Sequence, residues 1–360
     1  MYLPDAAGPA DPVPQSPPRR PGSARRTSTI DVSRPDGMPG DLRIDARARD
    51  LRTAADGTGA VVGEVVLRAR VDGGRHVLQE LEEVEITGRE GAEGPGAEGA
   101  EVASRTSAQG SDLAALVGTR VGSGFRGQLD QALGEESTAG TLRYLLLDDL
   151  PGATLISGYA LQRAAFAAGH PLPARYEMMA SRADICAGWA ADATILTTIR
   201  HHEVVPVPMG PPAPVLEPPD DPLSWHATDP LPPRSTRRRR LLDLWPDGQD
   251  GLALWCHFRD SHVDGEGEET VLHEYSVTGT VDIAGARVLD LAAHVQVLPW
   301  IECPGAVASA GRLAGADVAV LREWVRRELT GTSTCTHLND TLRALAAVPH
   351  MVALADRLGA

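Results

Sequence analysis

The two halves of the chain carry the same short segments in the same order, and this repetition most constrains the fold. RRTSTIDVSRPDG from Arg25 matches RRLLDLWPDG from Arg239, and ARARD ending at Asp50 matches HFRD ending at Asp260. VVGEVVLRARVDGG from Val61 then runs beside VLHEYSVTGTVDIAG. Ordered matches of this kind are hard to obtain by chance, and they predict two copies of one structural unit.

Each copy contains three stretches in which apolar and polar residues alternate, a pattern typical of half-buried strands. These stretches are LRIDARARD, EVVLRARVD and HVLQELEEVEI in the first copy, and LALWCHFRD, HEYSVTGTVD and RVLDLAAHVQV in the second. A helix is predicted over Asp317–Thr330, with an apolar face of Val318, Leu321, Val325 and Leu329 and an end at Gly331. We therefore predict an α+β fold of two tandem pseudo-duplicated units, each a three-stranded antiparallel sheet packed with helices.

Segments rich in proline or glycine separate these units. Residues 1–24 are Pro-rich and predict a disordered tail, and Glu90–Gly110 predicts a mobile loop. Residues 201–236 predict an extended connector over the surface. A degenerate first copy then spans residues 25–200, and the second copy spans residues 237–360.

Charge and apolar content argue against several kinds of partner. The formal net charge of −15 offers no basic field for a phosphate backbone, which argues against nucleic acid. No run approaches the roughly 20 apolar residues that a membrane span needs, and the N-terminus has no signal-peptide core. We expect a cytoplasmic protein that acts on a small molecule, has no nucleic-acid or membrane partner, and could form a homodimer.

The second copy carries sulfur and imidazole groups that the first copy lacks. Cys335 and His337, in TSTCTHLND, stand opposite an alanine and a threonine, His273 stands opposite Gly63, and Cys303 has no cysteine counterpart. Two thiolates with one or two imidazoles form the tetrahedral set that zinc prefers, with iron as an alternative. We predict a metal site formed by Cys303, Cys335, His273 and His337. Packing alone, with buried thiols and hydrogen-bonded histidines, is the other interpretation.

A second polar cluster, RDSHVDGEGEETVLHEY, supplies candidates for proton transfer. His262 and Asp260 could act as general base and orienter, and Glu274 could assist. His257 is a further candidate, because the first copy has Arg47 at that position. A solvated turn edge is the alternative interpretation of His262.

Cys335 also admits a role without metal. The local amide field lowers the pKa of a cysteine at the start of a helix, and a neighbouring imidazole could activate it as a nucleophile. Capping of the helix by Thr334 or Thr336 is the structural alternative.

Two resemblances rest on these residues. The order HEY, ECP and CTHL over about residues 237–350 resembles a bacterial domain family of unknown function. That resemblance implies no activity, and it implies a family signature of His273, Cys303, Cys335 and His337. More distantly, VDIAGARVLDLAAHVQVLPWIECPGAVASAG and CTHLNDTL resemble the U-type iron–sulfur scaffold fold. This second resemblance implies that Cys303 and Cys335 fall on ligand positions for a cluster or for zinc.

These patterns predict a metal-assisted lyase or hydrolase that acts on a small organic molecule. The second copy would hold zinc, and the first copy would form a wall of the cleft. The alternatives are a non-catalytic zinc or iron–sulfur carrier and an enzyme with a cysteine nucleophile and no metal. A structural zinc site has four protein ligands, whereas a catalytic site keeps an open position.

Overall fold

Nine β-strands form one antiparallel sheet in the computed structural model, which describes residues 1–84, 105–107, 112–248, 251–282, 284 and 286–356. In chain order the strands are β1 (Ser23–Ser33), β2 (Leu42–Thr53), β3 (Gly59–Val71), β4 (Leu78–Val84), β5 (Arg105–Ser107), β6 (Thr236–Pro246), β7 (Gly251–Val263), β8 (Glu269–Asp282) and β9 (Val288–Val297). Their order across the sheet is β5-β4-β3-β2-β1-β6-β7-β8-β9.

Each half of the sheet is a meander of consecutive strands, and the two meanders meet at their first strands. β1 pairs with β6 in antiparallel register, with Ala24 opposite Leu244 and Val32 opposite Thr236. This arrangement differs from the predicted pair of three-stranded sheets. Each half adds a long strand that was not predicted, and these two strands join the halves into one sheet.

The two central strands lack the apolar alternation because charged side chains are buried along them. Arg25, Arg26, Arg238 and Arg240 are all buried, and carboxylates compensate their charges. Arg25, for example, donates two hydrogen bonds of 2.6 Å to Asp243. All 34 basic residues of the chain are arginines, whose planar guanidinium groups suit such bidentate pairs. A search for apolar faces does not detect strands of this kind.

Helices cover one face of the sheet. They are α1 (Phe125–Ala139), α2 (Leu142–Ala167), α3 (Tyr176–Met179), α4 (Thr194–His202), α5 (Leu321–Glu328), α6 (Thr336–Ala344) and α7 (Val348–Asp356). Leu146 of α2 lies in the core above the first half of the sheet, and Leu338 of α6 lies with Phe258 in the core above the second half. The second of these cores fixes the position of α6 over β7 and β8.

The predicted helix over Asp317–Thr330 is confirmed, although it is shorter than expected. A 3₁₀ turn over Val318–Val320 leads into α5, and the four residues of the predicted apolar face are buried. Gly331 follows with a φ of 72°, a left-handed conformation that favours glycine.

The N-terminal tail and the proline-rich connector lie across the opposite face of the sheet. The amide of Val13 donates to Glu274 at 3.0 Å, and Arg259 donates to the carbonyls of Val13 and Pro214 at 2.7 and 2.6 Å. Trp225 of the connector is buried there. The tail predicted to be disordered therefore has specific partners, because this face of the sheet also needs cover from water.

The predicted mobile loop, Glu90–Gly110, lies outside the described residues except for the short strand β5. The apolar stretch Tyr144–Phe166 forms most of α2, a helix buried along its first half. Within the part of the chain that the structure describes, no helix has both the length and the apolar content to cross a membrane.

Candidate functional site

A β-bulge at Leu272 of β8 lies next to the point where an aspartate of β7 pairs with a histidine of β8. Asp260 and His273 are register partners, and the pairing shifts directly after them. Directly opposed residues of neighbouring strands point to the same face of a sheet. Phe258 lies in the core beneath the helices, and Asp260, two residues further on, shares its face. Both the carboxylate and the imidazole of His273 therefore lie on the helix-covered face.

His337 reaches the same place from α6. Cys335 is the N-cap of this helix and has extended backbone geometry, so His337 lies in the first helical turn. Leu338 and Leu342 are fully buried and attach the helix to the core. The start of α6 is thereby held over β7 and β8.

Asp260, His273 and His337 form a compact cluster. Nδ1 of His273 lies 3.7 Å from Oδ2 of Asp260, and Nε2 of His337 lies 3.9 Å from the same oxygen. The two imidazole rings stack, with centroids 3.7 Å apart and planes inclined by 16°. Among the described residues, this is the group whose possible ligand atoms all lie within 4.8 Å of one another. Neither ring nitrogen has a hydrogen-bond partner within the described part of the chain, and both are buried.

Burial determines the protonation of the cluster. It lowers the pKa of His337 to about 4 and lowers the pKa of His273 well below its usual value, so both rings are neutral near pH 7. Neutral imidazole is the form that binds metals. Burial also raises the pKa of Asp260, and the Arg238 guanidinium opposes that rise.

Arg238 fixes the carboxylate of Asp260 in place. It donates to the two carboxylate oxygens at 2.9 and 3.0 Å, and its remaining terminal nitrogen donates to Asp340 at 2.8 Å. Asp340 also accepts from Arg126 of the first half, at 3.2 Å. The cluster therefore rests on a buried ion-pair network that includes both halves of the chain.

The thiols predicted as ligands lie beside the cluster. Sγ of Cys335 lies 3.8 Å from Nδ1 of His337, which is the ring nitrogen that faces away from Asp260. The sulfur of Cys303 lies close to Gly188 instead. A Cβ added to that glycine would lie only 2.6 Å from the sulfur. Burial raises the pKa of both thiols, which keeps them protonated at neutral pH. Neither thiol belongs to the compact cluster.

The residues predicted for proton transfer are dispersed. His257 and Glu274 are bonded to each other, Nε2 to Oε1 at 2.6 Å, and lie on the opposite face of the sheet beneath the N-terminal tail. His262 packs edge-on against Tyr159, with ring centroids 5.2 Å apart. Within the described residues it has no hydrogen bond to Asp260, whose carboxylate is bound to an arginine. The predicted pair of base and orienter is therefore not formed.

Sequence reasoning assigned Asp260 to His262 because the two are close in the chain. The sequence repeat indicates that the partner of Asp260 is His273. Asp50 pairs with Gly63 across β2 and β3, with the same spacing as Asp260 and His273. Alignment of the two copies could therefore have placed His273 opposite Asp260.

A cavity of about 220 Å³ adjoins the cluster. His273 and His337 line it together with Cys186, Cys303 and Cys335. Most of its remaining wall is apolar and comes from α2, from the segment around Trp189, and from the loop after β9 that contains Trp300. Elements from both halves of the chain thus enclose one space beside the two imidazoles.

Part of the chain matches a known protein family, but the activity of that family is unknown. Residues 236–350 match a family described as a protein of unknown function, DUF2889, and this range includes every residue of the cluster. The match supports the predicted domain family of unknown function. No curated protein and no solved structure matches the chain, so the likeness to the iron–sulfur scaffold stays a prediction.

Proposed function

We propose that the chain is a metal-assisted enzyme, a lyase or hydrolase, that holds zinc on Asp260, His273 and His337 and acts on a small organic molecule in the adjoining cavity. One observation carries the proposal. Two buried imidazole nitrogens without partners among the described residues lie 3.7 and 3.9 Å from the same carboxylate oxygen. Buried polar atoms are nearly always paired, and one cation would satisfy all three groups at once.

The distances suit a zinc site after a small contraction. Two ligands that each lie about 2.1 Å from one zinc ion stand roughly 3.4 Å apart in a tetrahedral arrangement. The two nitrogen-to-oxygen separations exceed this by a few tenths of an ångström, and the three possible ligand atoms all lie within 4.8 Å of one another. The stacked rings must also rotate apart, so that both lone pairs point to one ion.

The ligand count favours a catalytic site over a structural one. Three protein ligands leave a position open, and a closed structural zinc site would use four. His273 and His337 line the cavity, so the open position would face it. Two histidines with one carboxylate also suit ferrous iron, which is the alternative metal.

The chain's own residues would orient the ligands and donate a hydrogen bond to the substrate. Arg238 holds Asp260 from below, and the Cys335 thiol lies beside the second nitrogen of His337, a place from which it can orient the ring. Because burial raises its pKa, Cys335 stays protonated, and its S–H can donate a hydrogen bond to a molecule in the cavity. A zinc ion would act as a Lewis acid toward a carbonyl or hydroxyl group of the substrate.

A cysteine nucleophile without metal is the second candidate, and one observation favours it. Cys335 lines the cavity at the start of α6, where burial raises the pKa of its thiol and the amides of Leu338 and His337 oppose that rise. Burial outweighs these amides, and His337, with a pKa of about 4, is a weak base. The metal-assisted reaction therefore explains more of the arrangement. An iron–sulfur carrier would need thiolate ligands, and the compact cluster contains none.

We also infer that the two halves descend from one duplicated unit. Their β-bulges occur at equivalent places, after Asp50 and Asp260 and again after Arg70 and Thr280. Arg47 pairs with Glu64 in the first half as His257 pairs with Glu274 in the second, both at 2.6 Å. Asp50 has one imidazole beside it, that of His350 at 3.4 Å, whereas Asp260 has two within the described residues, at 3.7 and 3.9 Å.

Elemental analysis of protein purified without an affinity tag tests the metal-assisted function. We expect about one metal ion per chain in the unaltered protein and loss of metal in His273→Ala and His337→Ala. His262→Ala is the matched control, because its ring nitrogens also lack partners among the described residues but lie outside the cluster. Protein that stays free of metal when purified with added zinc would contradict the proposal. So would a metal content that neither cluster variant changes.

A further inference from the structure

The charge of the cavity wall contrasts with that of the whole chain. The protein contains 49 acidic residues and a formal net charge of −15. Among the described residues, none of those that line the cavity is an aspartate or a glutamate, and Arg182 is the one residue there with a permanent charge. The histidines in the wall are neutral, as argued above. The cavity of this acidic protein is therefore lined without negative charge in the part of the chain that the structure describes.

Arg182 is available to bind a ligand. Many arginines of this chain pair with carboxylates, as Arg238 and Arg240 do. Arg182 has neither an ion pair nor a hydrogen bond to a carboxylate within the described part of the chain, and it lies exposed just after the short helix α3. Two large apolar side chains near it in the wall are also exposed, Leu155 by 57% and Ile185 by 45%. The rim thus combines apolar surface with one unpaired guanidinium.

The cavity volume limits the size of the ligand. A buried apolar cavity of about 150 Å³ is known to hold benzene, so by the same volume per atom a cavity of about 220 Å³ suits an apolar body of about nine non-hydrogen atoms. Trp189 and Trp300 supply flat apolar surface in the wall. Because the wall has few polar side chains that could pair with hydroxyl groups, it favours an aliphatic or aromatic body over a sugar or a nucleotide.

We infer that the cavity binds a small amphiphilic anion, whose apolar body fills the cavity and whose oxyanion, a carboxylate or a phosphate monoester, pairs with Arg182 at the rim. A guanidinium group binds either oxyanion through two parallel hydrogen bonds. The inference rests on the proposed function for the reaction, since it names the substrate class of that same site. The binding itself requires only the cavity and Arg182.

Calorimetric titration of the metal-free protein, prepared with a chelator, tests this inference separately from the metal site. The probes form a matched series: 4-phenylbutanoate, 4-phenylbutanol, 4-phenylbutylamine and 2-phenylethyl phosphate. We expect the carboxylate or the phosphate ester to bind about tenfold more tightly than the alcohol, and the amine to bind most weakly. Which of the two anions binds more tightly identifies the oxyanion.

Two arginine variants test whether Arg182 causes the preference for the anionic probes. Arg182→Gln should lose the preference for the anion while still binding the alcohol. Arg175 is also exposed but does not line the cavity, so Arg175→Gln should keep the preference for the anion. Equal binding of acid and alcohol, a preference that survives Arg182→Gln, or failure of every probe to bind would overturn the inference. A preference that appears only after zinc is added would place the anion on the metal, which supports the metal site and overturns the role of Arg182.

Discussion

Gly63 and His273 occupy the same position in the two halves of the sheet. Each is the cross-strand partner of an aspartate that directly precedes a β-bulge, Asp50 for Gly63 and Asp260 for His273. Both aspartates accept two hydrogen bonds from an arginine on the neighbouring strand. The buried ion pair is therefore common to both halves. His350 of α7 lies 3.4 Å from Asp50 in the first half, whereas Asp260 in the second half has two imidazoles beside it, those of His273 and His337.

This relationship provides a matched pair of variants, Asp260→Asn and Asp50→Asn. Asp50→Asn removes the carboxylate that pairs with Arg26, so we expect it to lower the free energy of unfolding by about 3–5 kcal/mol. Arg238 keeps its ion pair with Asp340, so Asp260→Asn should lower that free energy by less. Urea denaturation measures this loss. Only Asp260→Asn should also lose bound metal, as measured by elemental analysis. Loss of metal in both variants would show that the metal is lost because the fold is destabilised, and not because Asp260 is a ligand.

Cys335→Ser should retain metal. The thiol lies 3.8 Å from the nitrogen of His337 that faces away from Asp260, and a serine hydroxyl can make the same hydrogen bond. We expect unchanged metal content and, after replacement by cobalt, no thiolate-to-cobalt charge-transfer band in either protein. Loss of metal from this variant, or such a band in the unaltered protein, would instead make Cys335 a ligand.

His226 should make the protein sensitive to acid. Its ring lies buried between the hydroxyls of Thr27 and Thr29, each at 2.8 Å. Burial, helped by nearby arginines such as Arg49, lowers its pKa well below 6.5. As pH falls below about 6.5, His226 binds a proton in the unfolded chain but stays neutral in the folded chain. The free energy of unfolding therefore falls by up to about 1.4 kcal/mol per pH unit.

Urea denaturation between pH 7 and pH 5 should therefore show a shallower loss of stability in His226→Gln than in the unaltered protein. The difference between the two slopes should correspond to about one proton. Other buried histidines contribute equally to both proteins and cancel in this comparison. Identical slopes would mean that His226 is not held neutral by the fold.

Gly188→Ala should destabilise the wall of the cavity. The new Cβ would lie 2.6 Å from the sulfur of Cys303, so the wall must shift, at a cost of about 1–3 kcal/mol. Cys303→Ala removes the clash, so the double variant should be more stable than the sum of the two single effects predicts. A double-mutant cycle by chemical denaturation measures this coupling. Additive effects would show that the two residues are not in contact.

Local patterns determined much of this protein. Alternation of apolar and polar residues located six of the strands, and helical periodicity located α5 with its end near Gly331. The repeat aligned Asp50 with Asp260 and Gly63 with His273. These features follow from sequence because each depends on neighbours within a segment or on the ordered comparison of two segments.

Tertiary structure alone decided how these parts meet. β1 and β6 could join the halves into one sheet because buried arginines on these strands found carboxylates elsewhere in the chain, which no apolar pattern records. Docking of α6 onto the sheet places His337 beside Asp260. Docking of the loop after β9 places Cys303 in the cavity wall. Docking depends on the shapes of surfaces far apart in sequence, so periodicity identified the candidate groups but not which of them come together.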